Sequence, residues 1–434
     1  PAAKAARPAS AKQVWARAMA ASFTCDDPSQ ASLPPRARRG KTRYGSGMRA
    51  DSEYTFYEFF CGGGMARLGL GSGWRCAFAN DIDPAKLEAY TRNFGADGLQ
   101  GGDIAAINPD ALPGQADLAW ASFPCQDLSL AGPRSGLRGA RSGVFYQFWR
   151  LIEALKDQGR APRLIGLENV TGLLTCSGGA DFTALCQALD AGGYRFGALE
   201  IDARYFRPQS RPRLFVTALR KDIPIPADLV LDAAPDSLSP FHTKAVRRAA
   251  AGLPEALRRN WVWWALPVPP QPNERLEDVL EPPRRVAWHS LEETRRLIAM
   301  MSPTTRDRLR EIKRSARPAV GALYRRMRVE DGEKVQRAEV RFDGLAGCLR
   351  TPGGGSSRQF IITVKGRRVR TRALTGREYA RLMGLPDDYR LPQRESAALH
   401  LSGDGVAVDV VAFLKTLLFE PVLEHARAAA LAAE

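Results

Sequence analysis

Four short segments of the 434-residue sequence combine residue types that could carry out chemistry, and each lies at or near one end of an apolar run. They supply a glycine turn, a loop cysteine, a carboxyl beside an amide, and a pair of arginines. The segments are Phe60-Cys61-Gly62-Gly63-Gly64, Pro124-Cys125-Gln126, Glu168-Asn169-Val170 and Gln209-Ser210-Arg211-Pro212-Arg213. Together they could bind a nucleoside, form a covalent bond through a thiolate, and stabilise developing charge.

The glycine turn and the acids that follow it predict a nucleoside-binding site. A strand, a glycine turn and a helix let the backbone approach a ligand closely and present helix N–H groups to it. Asp81 ends the next apolar run, where it could accept both hydroxyls of a ribose, and Asp103 could receive an adenine amino group. A dinucleotide fingerprint would need a third glycine where Arg67 stands, so NAD binding fits poorly. Each acid alone is equally consistent with a surface turn or a helix cap.

Cys125 is the candidate nucleophile. It follows the apolar run 118–121, in the kind of loop where an α/β enzyme displays its catalytic groups. A nearby cation or helix N-terminus would lower its pKa toward the reactive thiolate. Arg211 and Arg213 alternate along an extended segment and so share one face, and Pro212 between them predicts an edge strand. Beside a thiolate and a carboxyl these arginines could bind a base and its phosphate, and otherwise they are ordinary surface charge.

Alternating strands and helices are needed to bring these groups together, and the sequence predicts them before residue 221. Apolar runs predict strands at 54–60, 75–80, 118–121, 164–167 and 214–219, and helices from 66 and at 84–94, 143–156 and 182–191. This pattern predicts a mostly parallel α/β sheet with helices on both faces. Proline-rich stretches and the arginine-rich segment 306–328 then predict a second, smaller and irregular domain. The tryptophans at 261–264 are predicted to pack in a core.

Composition and charge indicate a cytoplasmic protein with a polyanionic partner. No apolar run reaches the roughly 20 residues that span a bilayer, and no signal-peptide core is present, which predicts no membrane association. The 7 cysteines lack metal-binding spacing and fit reduced thiols. The net charge is +16: residues 1–50 carry +8, residues 51–220 carry −1, and the remainder carries +9. A nucleic acid is the simplest partner for such a chain.

In content and order, these motifs resemble those of the C5-cytosine DNA methyltransferases. The segments Arg350–Gln359 and Leu374–Pro386 resemble sequences that follow the family's variable recognition region, and Gly403-Asp404-Gly405-Val406 resembles its last motif. The resemblance covers roughly residues 54–420. It implies a Rossmann-like, S-adenosylmethionine-dependent methyltransferase fold with a target-recognition domain, of the bacterial restriction-modification type.

The resemblance also implies a mechanism and a role for each motif residue. Cys125 would attack C6 of a flipped-out cytosine, so that C5 takes a methyl group from S-adenosylmethionine and S-adenosylhomocysteine is released, with no metal. Glu168 would hydrogen-bond the base at N3 and at the exocyclic amine. Arg213, supported by Arg211, would offset charge near O2 and hold the phosphate. Asn169 would orient the loop that carries Cys125.

The implied cofactor site has two departures from the family pattern. Its residues would be Phe60, the backbone of Gly62 and Gly64, Asp81, Ile82, Asp103 and Asp404. Ile82 stands where the family often has an aromatic residue, which predicts weaker stacking on adenine. Asp404 stands where asparagine is usual, close to the methyl-donor end, and this acid either alters cofactor affinity or is tolerated.

The resemblance divides the chain into four parts. Residues 1–50 would be a basic flexible leader, 51–220 the catalytic and cofactor-binding domain, 221–394 the target-recognition domain, and 395–434 a segment that returns to the catalytic domain. Within the recognition domain, Arg325–Arg328 and Arg314–Arg317 are candidates for DNA contacts. The expected partners are double-stranded DNA and a cognate restriction endonuclease, and the chain is expected to be a monomer.

Three other functions stay open at this point. An RNA methyltransferase of the same fold would act on a tRNA cytosine, although the long basic region favours DNA. A catalytically inactive, DNA-binding regulatory protein would not need Cys125 or Glu168. An oxidoreductase is the weakest alternative, because Arg67 interrupts the dinucleotide fingerprint.

Overall fold

The computed structural model describes residues 54–124, 143–235, 239–270, 272–315, 317–330, 332–351 and 358–433. The predictions for the leader 1–50, for Cys125 and for the glycine-rich segment 352–357 lie outside these residues.

A seven-stranded sheet forms the centre of the molecule. Its strands are β1 Tyr54–Phe59, β2 Trp74–Asp81, β3 Leu99–Gly101, β4 Leu118–Ala121, β5 Leu164–Asn169, β6 Tyr194–Asp202 and β7 Pro212–Arg220. Their order across the sheet is β3-β2-β1-β4-β5-β7-β6. All neighbouring pairs are parallel except those that β7 makes with β5 and β6. The predicted mostly parallel α/β sheet is therefore confirmed.

Helices cover both faces of this sheet. The first four are α1 Met65–Leu70, α2 Pro84–Phe94, α3 Val144–Asp157 and α4 Ala180–Ala191. Phe56 of β1 lies in a core with α1, whereas Phe59 lies in a second core with Phe148 of α3, at a ring-centroid distance of 5.1 Å. The pairing of β1 with β2 shifts register between Phe56 and Tyr57, in the middle of β1.

Local sequence fixes the bounds of α2, which follows the second strand. The side chain of Asp83 accepts hydrogen bonds from the backbone N–H groups of Ala85 and Lys86, and Pro84 occupies the first turn. Gly95, at a φ of 82°, ends the helix. An acidic cap, a proline and a terminal glycine are strong helix boundaries, so this element was predictable to the residue.

The segment that follows β7 also packs on the large sheet. It contains β8 Val230–Leu231, α5 Lys244–Gly252, α6 Glu255–Arg258, β9 Trp263–Trp264 and α7 Leu276–Val279. Trp264 is 2% exposed, and the ring of Trp261 lies edge-on to Phe196 of β6 at 6.0 Å. The tryptophans pack in a core, as predicted.

A second sheet has four antiparallel strands in the order β11-β10-β12-β13. Its elements are α8 Leu291–Ala299, α9 Pro303–Arg314, β10 Ala319–Glu330, β11 Glu333–Arg341, β12 Gln359–Lys365 and β13 Arg368–Ala373. Leu297, Leu323 and Phe360 belong to its small core. This part is more regular than the sequence predicted, because the arginines of segment 306–328 are divided between a helix and a strand.

The chain then returns to the large sheet. The last helices are α10 Gly376–Leu382, α11 Glu395–Asp404, α12 Val408–Leu414 and α13 Glu420–Ala433. Tyr379 and Val411 lie in the same core as β1, and the indole N–H of Trp74 donates to Glu420 at 3.0 Å. The small core under the second sheet draws on residues from Leu297 to Ala373, and the recognition-domain range 221–394 stays a prediction.

Candidate active site

The candidate residues gather at one edge of the large sheet, where β1, β2, β4 and β5 end. Parallel strands bring their carboxyl ends to the same edge, and the chain reversal of β7 brings the start of that strand there too. Pro212 occupies the first position of β7, opposite Asp202. The prediction of an edge strand was wrong, since β7 lies between β5 and β6. A proline at the first residue of a strand is tolerated even in the interior of a sheet.

The glycine turn after β1 depends on three left-handed residues. Phe60, Gly62 and Gly64 have φ values of 56°, 53° and 75°. For Phe60 this conformation is strained, and such strain is typical of functional sites. The N–H of Gly62 donates to a carboxylate oxygen of Asp81 at 2.8 Å, and the rings of Phe94 and Tyr90 leave no room for a Cβ at Gly64.

Three side chains after β2 and β3 line the edge next to this turn. Asp81 is 7% exposed, and its other oxygen accepts the N–H of Asp83 at 2.9 Å. Ile82 is 67% exposed, which is unusual for a large apolar side chain. Asp103 is exposed and caps a short 3-10 helix by accepting the N–H of Ala105. A carboxylate, an apolar surface and a second carboxylate in this order suit a ribose and an adenine.

Glu168, near the end of β5, and Arg213, near the start of β7, form a largely buried ion pair. The Nε of Arg213 lies 3.2 Å from Oε1 of Glu168, and the two side chains are 16% and 8% exposed. Burial raises the pKa of Glu168, although the charges of Arg213 and Arg211 and a hydrogen bond to Ser122 oppose that rise. The carboxyl therefore holds a proton to a higher pH than an ordinary glutamate does.

Asn169 fixes the loop that leads to residue 125. Its amide nitrogen donates to the backbone oxygen of Phe123 at 3.0 Å in a fully buried hydrogen bond. Its amide oxygen accepts the N–H of Val170 at 2.8 Å. One side chain thus joins the end of β5 to the segment after β4. Cys125 itself lies outside the described residues.

Arg211 is buried and bonded to backbone carbonyls from distant parts of the chain. Its guanidinium donates to Leu349 at 2.8 Å, to Gly403 at 2.9 Å and to Gly405 at 2.8 Å. Burial, reinforced by the charge of Arg213, lowers its pKa to about 10. Both arginines also lie near the sulfur of Cys348, at 3.7 and 3.6 Å, so they share one face as predicted.

Asp404 lies at the end of α11, close to the start of α2. Lys86 donates to one of its oxygens at 2.8 Å, and the hydroxyl of Thr351 donates to the other. Burial would raise the pKa of Asp404, but the ammonium of Lys86 and these hydrogen bonds hold it below the usual value. Neither contact was predicted from the sequence: Lys86 lies in no motif, and the segment Arg350–Gln359 that contains Thr351 was given no role at this site.

Glu58 is a further site residue that sequence reasoning missed. It is 1% exposed, accepts the N–H of Arg67 at 3.3 Å, and so lies beneath the first turn of α1. Burial raises its pKa to about 8. Its Oε2 has no hydrogen-bond partner among the residues in the structure. An acid inside the apolar run Tyr54–Phe59 was the signal that could have identified it.

The described ranges contain neither a candidate metal site nor a candidate membrane span. No group of three or more histidine, cysteine, aspartate or glutamate side chains within them could hold a metal ion. None of their helices combines the length and the apolar character that crossing a membrane requires.

A family model described as C-5 cytosine-specific DNA methylase matches residues 54–420. The chain belongs to this family. It is therefore a DNA cytosine-C5 methyltransferase, an enzyme that acts on DNA. The match spans both sheets and the helices up to the start of α13.

Curated relatives of this methyltransferase are similar over most or part of its length. The type II methyltransferase M.HhaI of Haemophilus parahaemolyticus is 25% identical over 364 residues, which cover 83% of this chain and 92% of that protein. M.HpaII of Haemophilus parainfluenzae is 24% identical over 83% of this chain and 87% of its own. M.BsuFI of Bacillus subtilis is 32% identical, but over only 39% of this chain and 40% of its own.

Solved structures show the same fold. The S. pombe Dnmt2 methyltransferase has a TM-score of 0.50 and 17% identity, and covers 85% of this methyltransferase and 99% of itself. A mutant of Spodoptera frugiperda DNMT2 has a TM-score of 0.53 and 16% identity, with 84% and 99% coverage. At these identities the likeness concerns the fold alone.

Proposed function

We propose that this methyltransferase moves a methyl group from S-adenosylmethionine to C5 of a flipped-out cytosine, through a covalent bond between Cys125 and C6. The observation that carries the proposal is the buried Glu168–Arg213 pair, with 3.2 Å between Nε and Oε1, beside the loop that leads to Cys125. A carboxyl suits the N3 and amino edge of cytosine, and a guanidinium suits O2. The target must leave the duplex stack because C6 is not accessible there.

The residues at the glycine turn fit S-adenosylmethionine. The Asp81 carboxylate would accept the ribose hydroxyls, the exposed face of Ile82 would pack on adenine, and Asp103 would accept the adenine amino group. Phe60 and the backbone of Gly62 and Gly64 would contact the rest of the molecule. When bound, S-adenosylmethionine supplies an electrophilic methyl group, and S-adenosylhomocysteine is the product.

The protein's own side chains would activate the base in a fixed order. The thiolate of Cys125 attacks C6, which removes the C5–C6 double bond and makes C5 nucleophilic. When protonated, the carboxyl of Glu168 hydrogen-bonds N3, and Arg213 offsets charge at O2. After C5 has gained its methyl group, a base removes the C5 proton, the double bond forms again and Cys125 leaves.

Asn169 and Arg211 would act by positioning. The hydrogen bond from Asn169 to Phe123 holds the backbone two residues before Cys125. Arg211, whose guanidinium bonds to three carbonyls, would fix the two later motifs around the site and keep Arg213 in place. Its contribution to phosphate binding would then be electrostatic and indirect.

The second sheet would supply DNA recognition within residues 221–394. The pairing of β12 with β10 ends at Tyr324, so residues 325–330 pair with β11 alone and form a two-stranded ribbon. The major groove of B-DNA accepts such a ribbon. Arg326 and Arg328 lie on one face of it, where both pair with Glu339, and we expect them to contact phosphates when DNA binds.

The curated relatives suggest the wider setting. M.HhaI and M.HpaII are named type II methyltransferases. By analogy, this protein would protect a short DNA sequence from a cognate restriction endonuclease, act as a monomer and work in the cytoplasm without a metal.

Bisulfite sequencing of DNA from cells that express the chain would test the proposal, because it reports activity and target sequence together. We expect one short sequence to be methylated at cytosine, and a Cys125→Ser variant to leave the same sites unmodified. Purified enzyme should methylate duplex DNA and not tRNA. Methylation of tRNA alone, or full activity of Cys125→Ser, would overturn the proposal.

A further inference from the structure

Asp404 joins three parts of the chain that are far apart in sequence. Its two carboxylate oxygens accept hydrogen bonds from Lys86 of α2 and from Thr351, which precedes β12. The side chain of Lys86 is 18% exposed and that of Asp404 is 38% exposed, so the pair lies at the rim of the molecule. Both oxygens have partners within the protein, and the charge of Asp404 is engaged there.

The turn that carries Asp404 is held tightly on its other sides. Arg211 bonds to the carbonyls of Gly403 and Gly405, on either side of Asp404. A Cβ at Gly403 would lie 2.9 Å from the backbone of Arg350, and one at Gly405 would collide with the sulfur of Met65 in α1. The turn therefore lies directly against the helix that follows the glycine turn.

Lys86 connects this turn to the cofactor edge of β2. It lies in the first turn of α2, and its ammonium is attracted by Asp81 and Asp83 as well as by Asp404. Burial would lower its pKa, but these carboxylates raise it above the usual value, so the group is charged. The ion pair thus joins the start of α2 to the turn that packs against Met65 of α1.

We propose that the Lys86–Asp404 ion pair is a latch that holds the turn at Gly403–Gly405 closed over the cofactor and slows cofactor release. The inference rests on the proposed cofactor site, which lies between the glycine turn and the start of α2. A partly exposed pair of this kind changes an equilibrium or a rate about two- to fivefold, and salt weakens it. An asparagine could accept from Lys86 through its amide oxygen and donate to the Thr351 hydroxyl through its amide nitrogen, but it lacks the charge.

A double-mutant cycle on the dissociation rate of S-adenosylhomocysteine tests the latch. Asp404→Asn removes the charge while keeping the shape, Lys86→Met keeps the apolar stem, and the two are then combined. Each single change should speed dissociation about two- to fivefold. The double variant should be no faster than the faster single variant, because either change alone opens the latch. Raising salt from about 0.05 to 0.5 M should speed release from the wild type but not from Asp404→Asn.

Asp222→Asn is the matched control, since it breaks an ion pair with Arg220 at the far end of β7, 2.6 Å between Nη2 and Oδ2. It should leave dissociation unchanged. Additive effects of the two latch substitutions, or a dissociation rate equal to wild type in Asp404→Asn, would overturn the latch. A wild-type protein that fails to bind S-adenosylhomocysteine would instead refute the proposed cofactor site, so the two failures are distinguishable.

Discussion

Replacing Glu58 by glutamine should raise the free energy of unfolding near neutral pH, whereas substitution of a buried residue usually lowers it. Glu58 is buried under the first turn of α1, and its Oε2 has no hydrogen-bond partner among the residues that the structure covers. Burial raises its pKa from 4.5 to about 8, so the folded protein holds a proton that the unfolded chain releases. Glutamine has the same shape and is neutral at every pH.

The magnitude follows from linkage. The folded state binds more protons than the unfolded state between pH 4.5 and 8, so the stability of the wild type falls as the pH rises through this range. At pH 7 the wild type has lost about 3 kcal/mol of its free energy of unfolding, because each pH unit above 4.5 removes about 1.4 kcal/mol. The glutamine amide brings an extra unpaired N–H, which costs about 1 kcal/mol. Glu58→Gln should therefore gain about 2 kcal/mol at pH 7 and almost nothing at pH 5.

Urea unfolding at about pH 5, 6, 7 and 8 measures this difference in the free energy of unfolding across the range where Glu58 binds its proton only in the folded state. Glu88→Gln is the control, because Glu88 is exposed on α2 and pairs with Arg92 at the surface. Its effect should stay within about 0.5 kcal/mol at each pH. A stability difference between Glu58→Gln and wild type that did not change with pH would refute the raised pKa of Glu58 and the reasoning built on it.

Three other outcomes are expected at the active site. Asn169→Ala should lower kcat about tenfold or more while S-adenosylhomocysteine affinity stays unchanged, because the lost hydrogen bond holds the loop and not the cofactor edge; equal losses in both would contradict this. Arg211→Met removes the donor from three backbone carbonyls, two of them in fully buried hydrogen bonds, and should lower the free energy of unfolding by about 3 kcal/mol or more in urea titrations. A neutral effect would show that water replaces the guanidinium. The kcat of the wild type should fall on the alkaline side as Glu168 loses its proton, and this fall should be missing from the slower variant Glu168→Gln, whose pH profile provides the check.

The large sheet was predictable because its signals are local. The apolar run at 118–121 became β4 without change, and the cap, proline and glycine around α2 fixed that helix. The second sheet was missed because the arginines of β10 interrupt the apolar pattern that predicts a strand, even though its partner β11 follows directly in the sequence. β6 was missed as well, and its pairing with β7 makes β7 an interior strand.

The site was predicted as a set of residues but not as a set of contacts. Motif order identified Glu168 and Arg213, and the structure brings their charged atoms within 3.2 Å. No local pattern reports that Arg211 bonds to Gly403, 192 positions later in the chain. Sequence reasoning therefore identifies the groups that carry chemistry more readily than the groups that hold them in position.

The return of the chain to the first sheet has a consequence for its synthesis. Trp74 of β2 bonds to Glu420, 346 positions later. The apolar surface of the early strands therefore stays uncovered until the last helices have been synthesised. At ribosomal speed that delay is roughly 20 to 70 seconds. During this interval the nascent protein exposes the surface that α12 and α13 finally cover, and chaperones have access to it. The second sheet, folded from contiguous residues, has no such wait and can form while the enzyme's own core is still open.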